Sequence, residues 1–397
     1  MIPTEGPALR AARLRPLAAP ARAPHWEMDM QGFLDTVRDL KEQGRRVAGC
    51  FPLYPPLELL HSFGLTPVML WGLNDDLQGF SRSDRHLQPY ACQVARALVE
   101  FVLEHGPGLF DALLMYNACD TLRNLPEIIA SGLDGSSSRL PVLRLHVPAL
   151  PLDQAGAAGY LRGRVRSLAA ELEDLTGRPF SGESFARSID LYRRQRALCM
   201  EVEGLLSAGS LPLAPGMGLL MGSNRIPVED HIPLLEAFVN EGRQAPAHGA
   251  GRPGVLISGI LPPPEPLLDA IDKAGLRVAA NDIAALKRFY SFTPETTPDP
   301  ERYYEDFYRG HHPCTTILPS ADGRLQFLRE VVQETGVGGV IFFGEKFCEY
   351  EYFEFPYLEG MLKELGVRSL LLEMSAEGLQ NLDGYRTRIE AFAETLA

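Results

Sequence analysis

Two cysteines in this chain each follow a hydrophobic run at the point where polar residues begin. Cys119 ends "LLMYNAC" and precedes Asp120, and Cys348 ends "IFFGEKFC" and precedes Glu349. Cys92 lies at the predicted start of a helix, where the helix N-terminus favours a thiolate. Three thiolates that converge from separate loops suit a metal ion or an iron–sulfur cluster. Because there are three rather than four, one coordination position would stay open for substrate or water.

A metal-free alternative uses the same cysteines. A cysteine paired with a histidine can act as a nucleophile, and the possible bases are His86, His311 and His312. No local spacing fixes such a pair, so both interpretations stay open on the residues alone.

The remaining cysteines have simpler interpretations. Six cysteines in a chain of 397 residues without a signal-peptide core do not indicate a disulfide framework. No CxxC pair is present, which excludes zinc-ribbon and ferredoxin-type spacings. Cys199 falls within a helical apolar pattern and Cys50 within a hydrophobic strand pattern, so we interpret both as packing residues.

Strand and helix patterns alternate in two parts of the chain and would position these cysteines. We predict a parallel α/β domain over 26–150 and a second one over 251–397. The segment 151–250 reads as long amphipathic helices followed by a linker. Residues 1–25 are rich in arginine, alanine and proline, which indicates a disordered extension, with an organelle-targeting peptide as the alternative.

The two α/β domains look like copies of one plan. "GCFPLYPPLELLHSFGLTPVMLW" and "SGILPPPEPLLDAIDKAGLRVAA" each combine a strand, a proline-rich turn, a helix and Gly-Leu before the next strand. "ALLMYNACDTLRNLPEI" likewise aligns with "GVIFFGEKFCEYEYFEFPYL". Both copies therefore place a cysteine just beyond the C-terminal end of a strand, where open parallel sheets bind ligands.

Composition excludes several classes of protein. A formal charge of −13 argues against a nucleic-acid binder. No apolar run approaches the ~20 residues of a membrane-spanning helix, so we expect no membrane insertion and a cytoplasmic location. Neither a P-loop nor a GxGxxG after a strand occurs, so a self-contained ATPase or dinucleotide enzyme is not expected.

Five segments together carry a family resemblance from about residue 45 to the C-terminus. They are "GCFPLYPPLELLHSFGLTPVMLWG", "YACQVAR", "YNACDTLRNL", "EKFCEYEYFEFPYLEGMLKELGVRSLLLE" and "YRTRIEAFAETL". In this order they resemble the 2-hydroxyacyl-CoA dehydratase family, which also includes active-site subunits of ATP-dependent benzoyl-CoA reductases.

The resemblance implies a fold, a cofactor and partners. The fold would be two flavodoxin-like (Rossmann-like) parallel-sheet domains, related by an internal repeat, with a helical segment between them. Cys92, Cys119 and Cys348 would bind a [4Fe–4S] cluster with an open fourth iron site. The partners would be a homologous second subunit or a second copy, an ATP-dependent iron–sulfur activator protein and an acyl-CoA thioester. A low-potential electron would turn the thioester into a ketyl radical, from which water is lost.

Several alternatives remain within this resemblance. The reaction could be the reduction of an aromatic ring, as in benzoyl-CoA reductases, or the chain could be a non-catalytic scaffold subunit. Some relatives carry extra cysteines in the proline-rich turn, and Cys50 or Cys314 could belong to a larger cluster. The resemblance identifies no general base; Glu58, His61 and Glu345 are candidate catalytic residues by position alone.

Overall fold

The computed structural model describes residues 30–73, 79–133, 140–247, 251–314, 317, 321–375 and 382–396. The predicted extension over 1–25 lies outside these residues.

Buried apolar runs form the strands of a first sheet, and amphipathic runs form the helices around it. The elements are α1 (Met30–Glu42), β1 (Arg46–Phe51), α2 (Leu57–Ser62), β2 (Leu65–Met69), α3 (Gln93–Leu109), β3 (Ala112–Tyr116), α4 (Leu125–Gly132) and β4 (Val142–Leu145). All strand pairs are parallel, in the order β2-β1-β3-β4. The central strands β1 and β3 are almost wholly buried, as expected where helices cover both faces of a parallel sheet.

Four helices then separate the first sheet from the second. They are α5 (Ala157–Thr176), α6 (Gly182–Ser207), α7 (Leu213–Arg225) and α8 (Val228–Gln244). The side chain of Ser181 caps α6 by accepting the N–H of Ser184. Cys199 is fully buried in α6, so its interpretation as a packing residue is consistent with the structure.

The second sheet repeats the plan of the first. Its elements are β5 (Gly254–Gly259), α9 (Glu265–Lys273), β6 (Arg277–Ile283), α10 (Lys287–Tyr290), α11 (Pro300–Gly310), α12 (Ala321–Thr335), β7 (Gly339–Glu345), α13 (Glu349–Glu364), β8 (Arg368–Met374) and α14 (Leu382–Glu394). The strands are parallel in the order β6-β5-β7-β8. Two four-stranded parallel sheets with the same order confirm the predicted fold class, and β7 occupies the place in its sheet that β3 occupies in the other.

The two halves share a hydrophobic core. Tyr303, Tyr304 and Phe307 of α11 are buried in the same apolar cluster as the first sheet, and α11 also packs against α5. The second half of the chain therefore contributes a helix to the core of the first, which ties the two sheets together.

Two predicted elements differ in their bounds. The apolar run "PVMLWG" predicts a strand over 67–72, but the strand runs from Leu65 to Met69. The segment "DTLRNLPEIIASG" predicts one helix, but it begins with a 3₁₀ turn, Leu122–Asn124, and becomes α-helical only at Leu125. Pro126 fits there because proline has no N–H, and the first N–H groups of a helix have no partner within the helix.

Within the described residues, no helix is both long and apolar enough to span a membrane.

Candidate metal centre

Cys119 lies in the turn that leaves the end of β3. The amide side chain of Asn117 fixes this turn from both sides: its Nδ2 donates to the carbonyl of Val147 at 3.0 Å, and its Oδ1 accepts the N–H of Val147 at 2.8 Å. The N–H of Arg123 donates to the carbonyl of Cys119 at 2.9 Å, which leads the chain into the next turn. Cys119 is half-buried and has a free thiol.

Cys348 occupies the matching place beyond β7. It is the residue immediately before α13, and its N–H donates to the carbonyl of Glu345 at 2.8 Å. The N–H of Lys346 donates to the carbonyl of Met374, which ties the turn to β8. The shared position of β3 and β7 in their sheets therefore makes Cys119 and Cys348 equivalent residues of the internal repeat.

Cys92 immediately precedes α3, with extended backbone angles of φ −55° and ψ 142°. The N–H of Ala95 donates to its carbonyl at 3.1 Å. Cys92 and Cys348 thus both lie at the N-terminus of a long helix, where the helix dipole stabilises negative charge on a thiolate.

The three thiols lie close enough to influence one another electrostatically. Burial raises the pKa of Cys92 to about 12, the backbone N–H of Ala95 opposes this rise, and negative charge on Cys119 adds to it. Burial also raises the pKa of Cys348, and negative charge on Cys92 and Cys119 raises it further. These mutual effects place the three thiols in the same region of the protein, and their joint role as cluster ligands stays a prediction.

The type of donor suits an iron–sulfur cluster. In the part of the chain that the structure describes, no three His, Cys, Asp or Glu side chains are arranged to hold one metal ion. In a cubane cluster each thiolate would bind a different iron. Three half-buried free thiols from three loops, two of them at helix N-termini, supply the ligand type that such a cluster needs.

Of the three candidate catalytic residues, Glu345 is the one beside the cysteines. Its negative charge raises the pKa of Cys92, and the residue is buried at the last position of β7. Glu58 and His61 lie on α2, apart from the contacts that join the cysteines. The buried Glu58 carboxylate pairs with Arg196, and His61 bonds Ser188 through Nδ1 and Glu229 through Nε2.

Comparison with known proteins adds the family to this geometry. Residues 52–396 match the family described as 2-hydroxyglutaryl-CoA dehydratase, D-component. The chain belongs to this family.

Three relatives match nearly end to end. The beta subunit of (R)-phenyllactyl-CoA dehydratase from Clostridium sporogenes is 24% identical, over 91% of this chain and 94% of the relative. The C subunit of benzoyl-CoA reductase from Thauera aromatica is 26% identical, over 89% and 92%. The beta subunit of (R)-2-hydroxyglutaryl-CoA dehydratase from Acidaminococcus fermentans is 24% identical, over 90% and 94%.

These relatives confirm the expected class of protein. Each is named as one subunit of a dehydratase or of a reductase, so this member of the D-component family is a subunit of an enzyme of that type and partner subunits are implied.

The cysteine–histidine alternative finds no support in the hydrogen bonds. Among the residues that the structure describes, no hydrogen bond joins a histidine to Cys92, Cys119 or Cys348. His311 is buried against Tyr54, its Nδ1 donates to the carbonyl of His312, and burial lowers its pKa to about 3. A base that is so hard to protonate would be a poor partner for a thiol at neutral pH.

The other two cysteines of interest lie in different surroundings. Cys50 is fully buried in β1, and burial raises its pKa well above the usual range. Cys314 accepts a hydrogen bond from Nη1 of Arg288 at 3.3 Å in a buried position. Their membership of a larger cluster therefore stays a prediction.

A buried ionic group beside the site was not predicted from the sequence. Asp282, at the end of β6, accepts from Arg288 at 3.0 Å and also from Arg324. These guanidinium groups lower the pKa of Asp282 despite its complete burial. Both arginines line a pocket, together with Glu351 and Glu354 of α13. A lone aspartate in "AANDIA" gives no sign in the sequence of two distant arginine partners.

Proposed function

We propose that this chain is the [4Fe–4S] subunit of an enzyme that removes water from a 2-hydroxyacyl-CoA thioester, with Cys92, Cys119 and Cys348 as the cluster ligands. The proposal is supported by three half-buried free thiols that influence one another electrostatically, in a chain that matches the D-component family over 52–396. Three ligands would leave one iron position for a non-protein group.

The cluster, when bound, would supply a low-potential electron for a reaction in which the thioester becomes a ketyl radical and then loses water. The chain's own residues would have other tasks. The two sheet edges and the turns that carry the cysteines would exclude water from the site. Glu345 is the candidate for proton transfer, because its carboxylate lies close enough to Cys92 to raise the pKa of that thiol. Glu58 and His61, the other two candidate catalytic residues, would act from α2, outside the immediate site.

The proposed complex has two kinds of protein partner. The relatives are named as beta or C subunits, so we propose a homologous second subunit, or a second copy of this chain, as the permanent partner. An ATP-dependent iron–sulfur activator would deliver the electron, because the sequence contains no P-loop of its own.

Reduction of an aromatic ring is the second candidate. The C subunit of the Thauera aromatica benzoyl-CoA reductase is 26% identical to this chain, slightly more than the two dehydratase subunits at 24%. Dehydration is preferred because the matching family is itself described as a dehydratase component.

Product analysis of the native complex separates these reactions. The complex is captured anaerobically through a tag on this chain and supplied with activator, ATP and a low-potential reductant. It is then offered a panel of 2-hydroxyacyl-CoA thioesters and benzoyl-CoA. We expect a product lighter than its 2-hydroxyacyl substrate by one water. A ring-reduced product from benzoyl-CoA alone would support the reductase instead.

A matched pair of cysteine variants tests whether the site is required. Cys119→Ser is expected to abolish turnover, whereas Cys199→Ser changes a buried cysteine in α6 and is expected to leave turnover intact. Full activity in a complex that carries serine at 92, 119 and 348 would favour a scaffold role.

A further inference from the structure

A carboxylate three residues after Cys348 closes the turn that carries this cysteine. Oε2 of Glu351, in the first turn of α13, accepts the backbone N–H of Glu345 at 2.9 Å. The N–H of Cys348 in turn donates to the carbonyl of Glu345 at 2.8 Å. Glu345 is thereby held through both of its backbone polar groups, and the turn between β7 and α13 is closed around Cys348.

The same turn contains a strained residue. Phe347 has a φ of 65°, in the left-handed region that residues with a Cβ rarely occupy, and its side chain is 46% exposed. Hydrogen bonds at the ends of the turn help to maintain this conformation, and the bond from Glu345 to Glu351 depends on a side chain.

Glu351 is also close to cysteines of both domains. Its side chain interacts electrostatically with Cys348 and with Cys92. Glu351 also lines the pocket that contains Arg288 and Arg324. A carboxylate that fixes a ligand-bearing turn is typical of the groups that orient metal ligands.

We propose that Glu351 is a positioning residue for the metal centre: its carboxylate holds the Cys348 turn in the ligating conformation. The inference rests on the proposed function, because it requires the cluster to be present. Glu351 itself is not assigned as a ligand.

Two variants test this hydrogen bond. Glu351→Gln keeps an oxygen that can accept the Glu345 N–H, and Glu351→Ala removes the acceptor. Glu359→Gln is the matched control, since it makes the same change on α13 at a residue that bonds Ser369 near the surface. Each chain is purified anaerobically and reconstituted with iron and sulfide. The readout is the rate of iron loss to a chelator.

We expect Glu351→Ala to lose iron on the order of 10-fold faster than wild type, and Glu351→Gln, which keeps the acceptor oxygen, to retain iron like Glu359→Gln. A Glu351→Ala chain that loses iron no faster than Glu359→Gln would overturn the inference. Should Glu351→Ala not fold, Glu351→Gln decides: on the order of 10-fold faster iron loss in that variant would show that the hydrogen bond is not what holds the turn. A wild-type chain that takes up no iron would instead overturn the proposed function, and this inference with it.

Discussion

The guanidinium group of Arg196 on α6 donates to the carboxylate of Glu58 on α2 at 2.6 Å, with both side chains buried. The hydroxyl of Tyr303 donates to the same carboxylate at 3.0 Å, and that of Tyr304 at 2.9 Å. Because both tyrosines come from α11, this buried group joins three helices that lie far apart in the sequence. Glu58 therefore has a structural task that its position in a proline-rich turn did not reveal.

Removing the arginine should be costly. Arg196→Met leaves the Glu58 carboxylate buried without its cation, and we expect the free energy of unfolding to fall by about 3–5 kcal/mol. Urea-induced unfolding, followed by circular dichroism, measures the change. The double variant Glu58→Gln/Arg196→Met should lose less than the single one, since no unpaired charge remains.

Arg194→Met is the matched control on the same helix. Arg194 pairs with Glu236 at the surface, where ion pairs contribute only about 0–1 kcal/mol. A loss for Arg196→Met as small as that of the control would contradict the structural role of the buried pair.

Asp282 should be equally sensitive to loss of its charge. Asp282→Asn would leave Arg288 and Arg324 buried with too little negative charge between them, and we expect a loss of about 3–5 kcal/mol in the free energy of unfolding. Asp272→Asn, which removes the exposed partner of Arg252, serves as the control and should have little effect. The same urea titration measures both, and equal losses would argue against a buried ionic group.

His231 should make stability depend on acidity. It is fully buried between Gln195 and the carbonyl of Leu219, and burial lowers its pKa from 6.5 to about 4. The unfolded chain therefore binds a proton between these values while the folded chain does not, so stability is complete above pH 6.5 and falls as pH drops toward 4. Between pH 6.5 and pH 5 this residue alone should remove about 2 kcal/mol.

The His231→Gln variant isolates that contribution. Glutamine cannot take up the proton, so the difference in the free energy of unfolding between wild type and variant should shrink as the pH is lowered through this interval. Measurements at matched ionic strength provide the test. A difference that stays constant with pH would show that His231 is not held neutral in the folded chain.

Local patterns predicted much of the fold because each strand is a buried run whose period and length are visible in the sequence. "RRVAGCF" and "GVIFFG" are examples, and their helices follow at the expected places. The equivalent positions of Cys119 and Cys348 could also be predicted, since both follow the corresponding strand of a repeated sheet. Position in a parallel sheet determines where a loop emerges.

Contacts between distant segments could not be predicted in this way. The carboxylate of Glu58 accepts a hydrogen bond from Tyr303, which is 245 residues away in the sequence. Asp282 accepts one from Arg324, which is 42 residues away. Nothing in the local sequence of Glu58 distinguishes a catalytic carboxylate from one that pairs with an arginine in the core. Glu351 was hidden for a related reason: the acidic, aromatic run "EYEYFEF" shows its helical face only once α13 has been placed on the sheet.

The central claim, that Cys92, Cys119 and Cys348 bind one cluster, is tested most directly by iron and acid-labile sulfide per chain after anaerobic purification and reconstitution. Wild type and the buried-cysteine control Cys199→Ala should each contain about four irons and four sulfides. Cys119→Ala should lose most of both while keeping the fold seen by circular dichroism. An iron-free wild-type chain, or a Cys119→Ala chain with the full iron content of wild type, would contradict the account.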